Sequence, residues 1–166
     1  RLLELGVSKG GSERMWKRFF PQAQVYGVDI DENCRAYEEE RIKIRIGDLS
    51  QDDVLESLKE IRPHIIVDDA SHFWSQIKAL FTLFPVLPSG GVYILEDMET
   101  SFHPLVFSSD YCDAPLDAYT VAERITRVAA SRVPCKEGPF AEEITAVGMD
   151  TELVATMLSS CIFIKR

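Results

Sequence analysis

Short runs of apolar, β-favouring residues alternate along the chain with longer segments of helical period. That is the pattern of a parallel sheet covered by helices on both faces. Leu2 to Leu5 reads as a first strand, followed by a glycine-rich turn and a helix from about Ser12 that is expected to bury Met15, Trp16, Phe19 and Phe20 and to stop at Pro21. Val25 to Val28 is the second strand, ending at Asp29. A polar helical stretch through Arg41 leads to the third, Lys43 to Ile46, closed by Gly47 and Asp48.

Ser50, three residues before Asp53, has the spacing of a capping box for a helix whose core stripe is Val54, Leu55, Leu58 and Ile61, with Pro63 ending it. His64 to Asp69 reads as strand four. Ser71 is placed to cap a helix in which Phe73, Ile77, Leu80, Phe81 and Phe84 recur at helical spacing. The turn Pro88-Ser89-Gly90-Gly91 launches strand five, Val92 to Leu95, which runs into Glu96 and Asp97. Residues Met98 to Pro115 lack periodicity and read as a long functional loop. A helix from about Asp117 to Ser131 follows, and Glu143 to Arg166 reads as a terminal antiparallel hairpin. The sum is an α/β, doubly wound, mostly parallel sheet with a C-terminal antiparallel hairpin, expected as a single domain over 1–166. Because the chain opens in what looks like the middle of a buried strand, trimming at the N-terminus is expected.

Composition narrows the functions. With 166 residues, 46% of them apolar and 27% charged, the chain can bury a substantial core, which excludes disorder and a disulfide-built miniature fold. A net charge of −9 argues against the phosphate backbone of nucleic acid as a partner. Cys34, Cys112, Cys135 and Cys161 form no C-x-x-C pair, so free thiols and no zinc site are expected. No apolar run approaches the length of about 20 residues that spans a bilayer. A cytoplasmic location, no membrane partner and room for a homo-oligomer complete this picture.

The turn Glu4-Leu5-Gly6-Val7-Ser8-Lys9-Gly10-Gly11-Ser12 lies between a strand and a helix, where glycine permits close backbone approach and a helix N-terminus offers free N–H donors. A nucleotide-like ligand fits there; an ordinary tight turn is the plainer alternative. Asp29 follows Gly6 by 23 residues, near the spacing at which an acid meets a ribose, and Asp48 ends the next strand on the same edge. Three acids suit a cationic cofactor better than a pyrophosphate. Together Glu4-x-Gly6-x-x-x-Gly10-Gly11-Ser12, Asp29 and Gly47-Asp48 resemble a class I S-adenosylmethionine-dependent methyltransferase, which implies a Rossmann-like methyltransferase fold. The resemblance implies Glu4 and Gly6 near the methionine portion of S-adenosylmethionine, Asp29 at the ribose and Asp48 near the adenine. Ser8, Gly10, Ser12 and Asp68 join them as candidate cofactor-binding residues. The nicotinamide fingerprint G-x-G-x-x-G is missing, and a divergent dinucleotide site stays open.

Asp68-Asp69 and Glu96-Asp97 fall at the ends of strands expected to be neighbours, only about 4.8 Å apart. Each like-charge pair about 4 Å apart costs roughly 4 kcal/mol at an effective dielectric of 20, so four crowded carboxylates call for a cation, shared protons or splaying. Oxygen ligands favour Mg²⁺ or another divalent cation, with Asp69, Glu96 and Asp97 as candidate ligands. Strand alternation turns Asp68 and Asp69 to opposite faces, and for Asp68 a merely structural place competes with a role in binding. His72, three residues past Asp69, is the candidate general base. Phe73, Trp74 and Phe102 are read either as an apolar wall for the acceptor or as ordinary packing.

The segments Asp69-Ala70-Ser71-His72 and Gly90-Gly91-x-Tyr93-x-x-Glu96-Asp97 further resemble metal-dependent sugar O-methyltransferases of macrolide antibiotic pathways. That implies methyl transfer to a hydroxyl of a small-molecule acceptor, a sugar or glycosylated natural product, with Mg²⁺ at Asp69, Glu96 and Asp97 and His72 as base. A catalytically silent cofactor-binding or assembly domain and a nicotinamide-dependent oxidoreductase are the rival readings.

Overall fold

The computed structural model describes residues 1–70, 74–102 and 115–166. Five strands, β1 (Leu2–Leu5), β2 (Val25–Asp29), β3 (Ile42–Ile46), β4 (Ile65–Asp68) and β5 (Val92–Leu95), pair in parallel. β6 (Thr151–Thr156) and β7 (Cys161–Lys165) close the sheet as an antiparallel hairpin. The order β3-β2-β1-β4-β5-β7-β6 makes a seven-stranded, doubly wound sheet. Its direction of winding reverses between β1 and β4, and ligands of open α/β sheets bind in the crevice beyond the strand ends at such a point.

β1 is buried along its whole length because both faces are covered. Leu2 joins Val7, Val25, Cys34, Ile42 and Ile44 beneath α1 (Gly11–Phe19), with Trp16 and Phe20 packed against them. Leu3 and Leu5 join the larger core on the opposite face, with Leu55 and Leu58 of α2 (Asp52–Leu58), Ile77, Leu80 and Leu83 of α3 (Trp74–Leu83), and Val121 and Ile125 of α4 (Ala118–Ser131). Fully burying a side chain of this kind contributes about 1.5–3 kcal/mol.

Four local expectations change. In α1 the inward stripe is Glu13, Trp16 and Phe20, so Glu13 is 0% exposed while Met15 is half-exposed and Phe19 is 72% exposed. A polar residue set the face that apolar residues seemed to set. The stretch after β2 holds only a 3-10 turn, Glu32–Tyr37, whose N-cap Asp31 accepts from the Asn33 N–H. Ser50 does not cap α2; its own N–H donates to Asp48, and Gln51 precedes the helix without a side-chain cap. Ala141–Met149 is a helix, α5, rather than part of the hairpin. Ile144, Thr145 and Val147 are β-branched, yet Gly148 lets α4 approach so closely that an added Cβ would lie 2.6 Å from that of Val128. Tertiary packing outweighs the local preference. The expected cap Ser71, and much of the expected long loop, lie outside the described residues; Met98–Phe102 at its start is a 3-10 turn.

Candidate active site

The ends of β1 to β4 converge on a cavity of about 170 Å³, lined by Gly6, Asp29, Ile30, Asp48, Leu49 and Ala70 among others. Asp29, at the end of β2, organises the turn that follows β1. Its Oδ2 accepts from the Val7 and Ser8 N–H groups at 2.9 and 3.0 Å, and its Oδ1 accepts from the Asp31 N–H. Burial pushes the Asp29 carboxyl up, but these three donors outweigh it and hold the group below the usual aspartate range. The Asp48 carboxyl is likewise held down, first by the Ser50 backbone N–H. Two ionised acids therefore stand at one wall.

Sequence reasoning missed Ile30. It is 69% exposed yet lines the cavity, and with Leu49 it gives the acid-bearing wall an apolar surface. An isolated apolar residue just past a strand end is the available signal, and it is a weak one.

Gly6 has φ +95°, and a Cβ there would lie 2.5 Å from the Asp69 carbonyl oxygen. Its glycine is thus required by the approach of the loop after β4, whose Asp69 N–H also donates to the Leu5 carbonyl. Ser8 has positive φ as well. Gly10, the left-handed residue before α1, presses on the Tyr37 ring and is buried, so its need for glycine is met by packing. Ser12 faces Glu4 and Glu13. Glu4 is 2% exposed, and burial together with the neighbouring Glu13 charge pushes its carboxyl up to about 8.

The carboxylates at the ends of β4 and β5 separate into two sets. Asp68 is 1% exposed, with Oδ2 accepting from the buried Tyr93 hydroxyl at 2.6 Å. Burial pushes it up to about 8. Its carboxyl is turned into the core and away from the cavity lining, so direct contact with a cofactor gives way to a supporting place under the strand end. Asp69 is exposed, whereas Glu96 and Asp97 are half-buried. Glu96 is pushed up first by burial and then by the charges of Asp69 and Asp97. Asp97 takes φ +53°, and the next N–H, of Met98, donates to Ser159 in the β6–β7 turn. Gln76 of α3 donates to the Glu96 carbonyl at 2.9 Å. Glu96 thus feels both Asp69 and Asp97, and hard carboxylate oxygens of this kind are the donors a divalent cation takes. No ready-made cluster of three or more metal-binding side chains occurs among the described residues.

His72 and Phe73 lie outside the described residues. Trp74 stacks on Phe140 at 4.9 Å, in keeping with packing, whereas Phe102 is exposed and meets Tyr119 edge-on. His64 is far from this edge, at the start of β4. Cys34, Cys135 and Cys161 are free thiols. No described helix is long and apolar enough to cross a membrane.

The fold and the crevice define a Rossmann-like methyltransferase architecture. A solved structure of MycE methyltransferase from the mycinamycin biosynthetic pathway, in complex with Mg and SAH, superposes with a TM-score of 0.80 at 25% identity, covering 99% of this chain and 44% of that one. Methanococcus jannaschii fibrillarin, at 15% identity and a TM-score of 0.57, shares the fold. Within that architecture the chain is homologous to O-methyltransferases of natural-product pathways. It is 43% identical over 122 residues to the 8-demethyl-8-alpha-L-rhamnosyl tetracenomycin-C 2'-O-methyltransferase of Streptomyces olivaceus, matching 68% of this chain and 32% of that protein. It is 39% identical over 114 residues to the mycinamicin VI 2''-O-methyltransferase of Micromonospora griseorubida, matching 63% and 28%. The chain thus spans about a third of the length of these curated relatives. No protein-family model matches it.

Proposed function

We propose that the protein is an S-adenosylmethionine-dependent O-methyltransferase whose acceptor is a hydroxyl of a sugar or glycosylated natural product, assisted by Mg²⁺ or another divalent cation. The observation that carries this reading is the cavity at the switch point, with Asp29 and Asp48 on one wall and the Asp69, Glu96 and Asp97 rim beside Gly6. The homologous sugar O-methyltransferases and the Mg- and SAH-bound neighbour support it.

Glu4, Gly6, Ser8, Gly10 and Ser12 form or buttress the donor side. Asp29 retains lone pairs for ribose hydroxyls while it holds the turn, and Asp48 with Ile30 and Leu49 takes the adenine. Asp68, anchored by Tyr93, positions the end of β4. Asp69, Glu96 and Asp97 would hold the metal, which when bound lowers the cost of ionising a coordinated hydroxyl. His72 takes the acceptor proton as general base. The chain's contribution is to fix donor and acceptor in line and to exclude water between them. We place this chemistry in the cytoplasm, where free thiols persist.

Thermal-shift and calorimetric titrations with S-adenosylhomocysteine and NAD, each with and without Mg²⁺, test the reading. Stabilisation by S-adenosylhomocysteine is expected; stabilisation by NAD alone would refute it. A methyl transfer assay with hydroxylated sugars separates an enzyme from a silent binding domain. His72→Ala is expected to lower turnover by about 10²-fold or more with donor affinity retained; unchanged turnover removes His72 from the reaction.

A further inference from the structure

Two glutamates meet under the glycine turn, and only one of them belongs to the motif discussed above. Glu4 projects from β1 on the same face as Leu2, toward α1, and Glu13 projects from α1 toward the sheet. They are 2% and 0% exposed, and Glu4 Oε2 and Glu13 Oε1 have no hydrogen-bond partner. Gly27 makes the room: a Cβ there would lie 3.0 Å from Glu13 Oε1. Ser12 and Trp16 of α1 face Glu4, and Asp69 adds a further negative charge from the end of β4. Around Glu13 stand Arg14, Asp29 and Ser12, with the Cys34 thiol also within its field. Arg14 is directed outward, donating to the Lys9 carbonyl and lying over the Tyr37 ring.

Two carboxylates cannot both be ionised in such a place without a compensating cation. We propose that Glu4 and Glu13 hold a proton between them in the ligand-free protein and release it to solvent when a cationic methyl donor enters the crevice, with Glu13 as the positioning residue that makes the donor's charge count. This rests on the methyl-donor reading of the cavity. The O–H bond of one carboxyl breaks, its proton passes to water, and the carboxylate left behind, under the turn and outside the cavity lining, balances the cation through the field rather than by contact. The demethylated product lacks the sulfonium charge and draws out less of the proton. Donor and product are thereby distinguished by charge under the turn as well as by the methyl group.

Calorimetry of S-adenosylmethionine and S-adenosylhomocysteine, in buffers of different ionisation enthalpy from pH 6 to 8.5, tests this. The expected result is greater proton release with the donor, whose affinity relative to the product rises by up to about tenfold per pH unit below pH 8. Glu13→Gln is expected to flatten that dependence. A donor-to-product ratio that does not change with pH, or a Glu13→Gln protein with the wild-type dependence, overturns the proposal. Carboxyl-carbon NMR titration of the ligand-free wild type needs no variant: a glutamate titrating well above the ordinary range is expected, and none overturns it. If neither nucleoside binds, the cofactor reading falls and takes this inference with it, whereas binding without proton release removes this inference alone.

Discussion

At Asp29 the work the structure shows is the holding of the turn after β1, with the proposed ribose contact added to it. Three backbone N–H groups converge on its carboxylate, and charge-assisted bonds of this kind are worth about 1.5–3 kcal/mol each. Asp29→Ala is therefore expected to lower the melting temperature and to weaken S-adenosylhomocysteine binding by about tenfold or more, read by calorimetry. Gly6→Ala should destabilise by about 2 kcal/mol or more, because the added methyl meets a backbone carbonyl at a positive φ; a urea midpoint equal to the wild type's would refute this. Asp29 and Asp48 were legible in the sequence because strand ends and offsets predict them. Asp68 was not, since alternation shows which face a side chain takes but not that Tyr93, 25 residues away, waits there with a hydroxyl.

At the scale of elements, the ends of β4 and β5 are braced from the core and from α3. Tyr93→Phe leaves buried Asp68 with the Ala70 N–H but without the hydroxyl donor and is expected to cost about 1–3 kcal/mol. Because the hydroxyl favours the ionised carboxylate, the loss should be greatest above about pH 8, where Asp68 ionises in the folded protein. Denaturant midpoints at pH 6 and 9 would reveal this as a widening gap, and an equal gap would argue against it. The parallel strands were read correctly from their apolar runs and proline stops. For α1 the inward place of Trp16 and Phe20 was read correctly and that of Met15 and Phe19 was not, because the stripe begins with Glu13, and α5 lies within a segment read as hairpin although it packs on α4 through the space left by Gly148. In both, contacts distant in sequence decide the outcome.

Over the whole molecule, buried acids give the ligand-free protein an unusual response to pH. Glu4 and Asp68 have raised folded-state values near 8, so each binds its proton more tightly folded than unfolded. Their stabilising effect is full below the ordinary carboxylate range and is lost as pH rises toward about 8. Asp29 and Asp48 are lowered, so theirs is present above that range and lost as pH falls through their folded values. Stability should peak near the ordinary carboxylate range, at about pH 4–5, and fall between pH 5.5 and 8.5, with the net charge of −9 adding self-repulsion. Urea midpoints across that interval check this, and a rise toward pH 8.5 would contradict it.

The contact between the Gly6 turn and the Asp69 backbone has a geometric consequence. Since the two loops touch main chain to main chain, the Gly6 side of the cavity and the carboxylate rim share one frame and cannot drift apart by side-chain rearrangement. On the proposed methyltransferase reading, mutations that reshape the outer walls would alter which hydroxyl compounds are accepted while the line of methyl delivery stays fixed.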